Sequence, residues 1–114
     1  MADCLFCAIA AKKMKAAVVA ETDDLVAFRD IRPQAPTHVL VIPRKHIATL
    51  NDLAEEDGPL VGKMLLLAKK IARDENIDGP GYRTVFNVNA QAGQTVFHIH
   101  LHLLGGRSMS WPPG

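Results

Sequence analysis

Thr95-Val96-Phe97-His98-Ile99-His100-Leu101-His102-Leu103-Leu104 carries three histidines at a period of two. In an extended strand alternate side chains point to the same face. Ile99, Leu101 and Leu103 are therefore expected to face a core, with His98, His100 and His102 lined up opposite. Neighbouring imidazoles would root about 7 Å apart along the strand. That spacing lets two of them flank one phosphate. Metal binding by all three, or the polar face of an edge strand, would use the same pattern.

The loop before this strand favours the phosphate. In Gly93-Gln94-Thr95 the glycine tolerates unusual backbone angles and close approach. The threonine hydroxyl and successive backbone N–H groups can form an anion-binding concavity. Asn87, at the end of the preceding strand, is placed to donate to the same group. Each residue alone is ordinary turn chemistry; their convergence on the histidine strand is what carries weight.

Working outward, Arg83 to Val88 and Val96 to Leu104 read as strands joined by the loop from Asn89 to Gln94. Upstream, Leu60, Val61, Met64, Leu65, Ala68, Ile71 and Ala72 follow helical spacing and predict a helix over about 56–75. Gly79-Pro80-Gly81 closes that region. Val39-Leu40-Val41-Ile42, stopped by Pro43, predicts a buried strand. Val18 to Ala20 and Leu25 to Arg29 flank Glu21-Thr22-Asp23-Asp24 and predict a hairpin, and Pro33 and Pro36 mark a loop. Asp3 to Lys15 reads as a short amphipathic helix with Asp3 as its cap. These elements predict one α+β domain over residues 1–114, a five-stranded, mostly antiparallel meander sheet with two helices.

Composition narrows the function. The chain has 114 residues, 48% hydrophobic and 22% charged, with 13 basic and 12 acidic side chains and a net charge of +1. No basic stripe points to nucleic acid. No apolar stretch reaches membrane-spanning length, and the start lacks the pattern of a secretory leader. A cytoplasmic setting is the expectation, in which the two cysteines stay reduced.

His98-Ile99-His100-Leu101-His102-Leu103-Leu104 resembles the motif of the histidine triad superfamily, His-x-His-x-His followed by two apolar residues. The stretch from Phe28 to His38 and the ending Gly105-Gly106-Arg107-Ser108-Met109-Ser110-Trp111-Pro112-Pro113-Gly114 are similar to its branch of histidine triad nucleotide-binding proteins. The similarity spans essentially the whole chain. It implies a homodimer whose sheets join, and a purine nucleoside 5′-phosphoramidate hydrolase binding AMP- or GMP-type nucleotides.

The resemblance also implies roles. His100 matches the nucleophile, which forms a nucleotidyl-histidine intermediate. His102 matches the residue that contacts the phosphate and helps with protons, and His38 a supporting histidine behind it. Asn87, Gly93, Gln94, Thr95 and Val96 match positions around the α-phosphate. Asp30 matches the acceptor of the ribose hydroxyls. Leu5, Phe6, Ile9, Phe28, Ile31 and Leu40 match the apolar slot for the base. Trp111 matches a residue that reaches the partner subunit's site. Two other functions use the same residues: hydrolysis of dinucleoside polyphosphates, and nucleotide sensing with incidental hydrolysis.

Cys4-x-x-Cys7 is a second constellation. It reads as a redox pair or as half of a tetrahedral zinc site. Histidines are available to complete the latter. In relatives that share this Cys-x-x-Cys, the zinc ligands match Cys4, Cys7, His46 and His98. A structural Zn2+ is the resulting expectation, and no organic cofactor.

Overall fold

A computed structural model describes residues 3–114. Helix α1 covers Leu5–Ala10, much shorter than the stretch from Asp3 to Lys15 predicted for it. Its cap is Cys4, whose Sγ accepts from the Cys7 N–H, not Asp3. Only Phe6 and Ile9 are buried along it. Past them only Ala10, partly buried, still packs on the core along the helix, and Lys12 turns into the left-handed region at φ 60°.

Strands β1 (Val18–Glu21) and β2 (Leu25–Arg29) form the predicted hairpin, and β3 runs over Thr37–Pro43. Helix α2 spans Gly58–Asp74 and buries Met64, Leu67, Ala68, Ile71 and Ala72. Leu65, expected in that stripe, is exposed, and Leu67 takes its place. Strands β4 (Tyr82–Val85) and β5 (Leu101–Gly105) complete the sheet. All four strand pairings are antiparallel. Five strands and two helices in an α+β arrangement are as predicted, but the order is β1-β2-β3-β5-β4 rather than a sequential meander. The chain leaves β3 through α2, lays β4 at the edge, and returns β5 between the two.

Alternation then sorts the sheet's two faces. Leu25, Ala27, Val39, Val41, Leu101 and Leu103 pack with α2. Val26, Phe28, Leu40 and Ile42 pack with Phe6 and Ile9 of α1. Leu101 and Leu103 are fully buried, each contributing about 1.5–3 kcal/mol of transfer free energy. This fixes the register of β5, because a slip by one residue would drive its histidine into the α2 core.

Two predicted strands are shorter than expected. Residues 96–100 are not in the sheet; β5 starts at Leu101, and β4 ends at Val85 rather than Val88. The β3–β5 ladder closes at Val41–Leu101. Just beyond, β3 ends at Pro43, which has no N–H to offer. The segment before β5 bonds elsewhere: Ile99 N–H donates to the Ile47 carbonyl at 2.8 Å. Ile99 nonetheless stays in the α2 core. The inside-outside alternation therefore holds through a segment that is not a strand.

Candidate functional site

The three histidines of the motif do not share one environment. His98 is fully buried and turns to Cys4, Cys7 and His46. His100 and His102 remain side by side, with ring centroids 4.9 Å apart. His38, on β3, stands behind His102.

Unambiguous hydrogen-bond partners fix the tautomers. Backbone Gln34 N–H donates to His38 Nδ1 at 3.0 Å, so the proton of neutral His38 is on Nε2. That nitrogen lies 2.9 Å from His102 Nδ1 and donates to it. Neutral His102 must then carry its own proton on Nε2. His100 Nδ1 is 2.8 Å from the His98 carbonyl. A carbonyl only accepts, so Nδ1 holds the proton and His100 Nε2 keeps a free lone pair. The same rule puts the His98 proton on Nε2, which donates to the Pro43 carbonyl at 2.7 Å. His98 Nδ1 is thereby left as a donor atom for a metal.

Charge is scarce in this cluster. Burial holds His38 and His100 below the ordinary histidine range, and it pushes His102 down to about 4, helped by repulsion from His100 and His38. Asp30 opposes the trend at all three. Its Oδ2 lies 3.4 Å from His38 Nε2, while its Oδ1 accepts from Arg32 N–H at 2.8 Å.

His100 and His102 open into a cavity of about 310 Å3. Leu5, Phe6, Ile9, Phe28 and Leu40 make its apolar walls, and Asp30 stands at its margin with Ile31, Thr95 and Val96. Phe6 meets the His100 ring edge-on at 5.0 Å and Phe28 at 5.5 Å. Ile31 is 92% exposed, so it is a rim rather than a wall.

Other expected residues fall outside this cavity. Asn87 and Gly93 do not line it, although Gly93 does adopt the left-handed conformation a glycine permits, φ 82°. Gln94 has a different task from the phosphate contact expected of it. Its Oε1 accepts from Asn89 N–H, and its Nε2 donates to the Ala48 and Val96 carbonyls. Its backbone N–H is also taken, by the Asn89 carbonyl. It frames the loop and has no N–H left for an anion. Trp111 is 82% exposed and lines no part of the cavity.

Met14, Lys15, Ala16, Arg29 and Arg32 also line the cavity and escaped the sequence reading. Met14 to Ala16 reach it because α1 ends early, which no local pattern signalled. Gln34 was missed for a similar reason: it acts through its backbone, and a backbone donor has no signature in residue type.

Cys4, Cys7, His46 and His98 place their ligand atoms within 4.8 Å of one another. The Sγ–Nδ1 separations are 3.3 Å for Cys4–His98, 3.4 Å for Cys7–His46 and 3.5 Å for Cys7–His98, and the two Nδ1 atoms are 3.2 Å apart. Ordinary Zn–S and Zn–N bonds at tetrahedral angles require about 3.6 Å and about 3.3 Å for such pairs. The donor set fits a closed zinc site.

Residues 3–111 match the family described as scavenger mRNA decapping enzyme C-terminal binding. A HIT-like protein of Synechocystis is 50% identical over 112 residues, covering 98% of this chain and 97% of its own. The chain belongs to the histidine triad family. A histidine triad (HIT) family hydrolase from Legionella pneumophila has the same fold at a TM-score of 0.97 and 59% identity, covering 98% of this chain and all of that one. A zinc-bound histidine triad family protein from Mycobacterium smegmatis matches at a TM-score of 0.80 and 35% identity, over 93% of this chain and 76% of its own. Membership accounts for the five-stranded antiparallel sheet and its two helices. Among the described residues no helix is long and apolar enough to cross a membrane.

Proposed function

We propose that this histidine triad protein is a hydrolase of purine nucleoside 5′-phosphoramidates. The observation that carries the reading is the His100 Nδ1 bond to the His98 carbonyl, which leaves Nε2 as an unprotonated nucleophile facing the cavity.

In the first step His100 Nε2 attacks phosphorus. The P–N bond breaks, its electron pair leaves with the amine, and the amine takes a proton. Water then attacks the nucleotidyl-His100 phosphorus, releasing a nucleoside 5′-monophosphate and regenerating the imidazole. Splitting one displacement into two lowers the barrier of each. His102 Nε2–H binds a phosphate oxygen. An arriving anion raises the proton affinity of the His38–His102 pair. The proton it takes up passes from His102 Nε2 to the departing amine, and the attacking water returns one to the pair in the second step. Asp30 accepts from the ribose hydroxyls, and Phe6, Ile9 and Phe28 sandwich the base with Ile31 at its rim. Thr95 and Val96 flank the α-phosphate, and Asn87 and Gly93 would join them there once substrate is bound.

Cys4, Cys7, His46 and His98 would hold a structural zinc ion, which supplies cross-linking and not chemistry, since four protein ligands leave no open position. Two chains would form a homodimer, with Trp111 reaching the partner's site.

The test compares turnover of adenosine 5′-phosphoramidate and of a dinucleoside polyphosphate by the wild-type chain and His100→Ala. Cleavage of the phosphoramidate alone, lost in the variant, supports the reading. Preference for the polyphosphate, or equal turnover by the variant, sinks it.

A further inference from the structure

The tautomer of His38 depends on one backbone N–H, that of Gln34. Gln34 sits in an exposed segment, residues 31–34, that packs little apolar surface of its own. Such a segment keeps a fixed geometry only if something outside it holds it. Arg107, just past β5, does so: its Nε donates to the Gln34 carbonyl at 2.9 Å, and its Nη1 to the Ser108 carbonyl at 3.0 Å. Asp30, at the segment's near end, accepts from the Arg32 N–H at 2.8 Å; among the described residues Arg107 is the one side chain that hydrogen-bonds to the Gln34 carbonyl. Gly106 leaves no room for a side chain against Pro36 beside it.

We propose that Arg107 is a positioning residue for the His38–His102 pair. Holding Gln34 in place keeps the His38 proton on Nε2, and so keeps the His102 proton on the nitrogen that meets the substrate. The groups facing the pair are Asp30, from the segment after β2, and His100; neither contacts His38 Nδ1. Without Arg107 the Gln34 N–H leaves Nδ1 in part of the population. His38 then takes up both tautomers, and His102 follows. In the wrong form His102 offers the phosphate a lone pair instead of an N–H. The kinetic part of this proposal rests on the phosphoramidase reading; the structural part does not.

The experiment uses the full chain with 15N-labelled histidine. Nitrogen shifts of His38 and His102 are read by NMR in wild type, Arg107→Ala and Arg107→Lys, beside kcat and KM for adenosine 5′-phosphoramidate. Wild type should show Nδ1 unprotonated in both residues. Arg107→Ala should show mixed tautomers and a kcat reduced about five- to tenfold with KM nearly unchanged, the scale of one lost hydrogen bond. Arg107→Lys, which can still donate to the Gln34 carbonyl, should restore both readings. Unchanged tautomers in Arg107→Ala overturn the proposal whatever happens to kcat. So does a lysine variant as impaired as the alanine one. If wild type cleaves no phosphoramidate, the function proposed above fails, while the nitrogen shifts still decide this inference.

Discussion

His38 and His102 touch, Nε2 to Nδ1 at 2.9 Å, although they are not partners in the ladder between β3 and β5. His38 pairs with Leu104, and His102 pairs with Leu40. They meet as diagonal neighbours on one face of the sheet, within reach of long or aromatic side chains. The contact therefore depends on the register of two strands brought together from distant parts of the chain.

That pair makes stability depend on pH. A free histidine titrates near 6.5, but His102 in the fold titrates at about 4, and His38 is also lowered. Between those values the unfolded chain binds more protons than the folded one. Stability is thus full above pH 6.5 and falls as the pH drops toward 4. The urea midpoint should be lower at pH 5 than at pH 7.5. His102→Gln should flatten that difference, and an equal pH dependence in the variant would remove His102 as a cause.

The Cys4, Cys7, His46 and His98 cluster should hold about one zinc ion per chain. Chelation should lower Tm by about 10 °C or more, as expected for several kcal/mol of metal-linked folding. Cys4→Ser and Cys7→Ser should reproduce the loss without chelator. A chain purified with a negligible zinc content and an unchanged Tm in both variants would count against the site.

Asp30 is expected to read the ribose. Asp30→Ala should weaken binding of AMP by about tenfold or more, the scale of a hydrogen bond to a charged group. The 2′-deoxy analogue should lose clearly less. Isothermal titration with both ligands decides it, and an equal loss takes the role from Asp30.

Gly106 lies at φ 90°, and a Cβ there would stand 2.9 Å from the Pro36 Cβ. Both the backbone and the rigid pyrrolidine resist a side chain. Gly106→Ala should cost about 1–3 kcal/mol, read as a lowered urea midpoint with an unchanged m-value. An unaltered midpoint would show that the Pro36 loop yields freely.

Much of this structure was legible in residue order because solvent sorts side chains by simple rules. The two-residue period around His100 placed Ile99, Leu101 and Leu103 in the core correctly, since burial needs only alternation. It could not tell that His98 and His100 lie outside the sheet. That was decided by Pro43, on another strand, which ends the ladder. The helical stripe located α2 but exchanged Leu65 for Leu67, a difference of rotation set by what the sheet presents to it. The return of β5 between β3 and β4 was invisible for the same reason: strand order is a property of pairs. At the site, Asp30, His38, His100 and His102 could be named from sequence and were found together. Gln94 was named from its neighbourhood, yet its amide turned inward to the Ala48 carbonyl. Gln34 was overlooked because its bond to His38 comes from a backbone N–H, and Arg107 because its guanidinium meets a backbone carbonyl rather than a side chain.

The inserted position of β5 also sets a schedule. During synthesis β1, β2 and β3 can associate early, and β3 then waits with one edge unpaired until Leu101–Gly105 emerges. Contacts so far apart in the chain form slowly, and an open edge is the kind of surface on which nascent chains misassociate. His98, His100 and His102, the residues proposed as metal ligand, nucleophile and phosphate ligand, all lie in or next to that last strand. A nascent chain that stops short of His98 therefore lacks all three imidazoles at once.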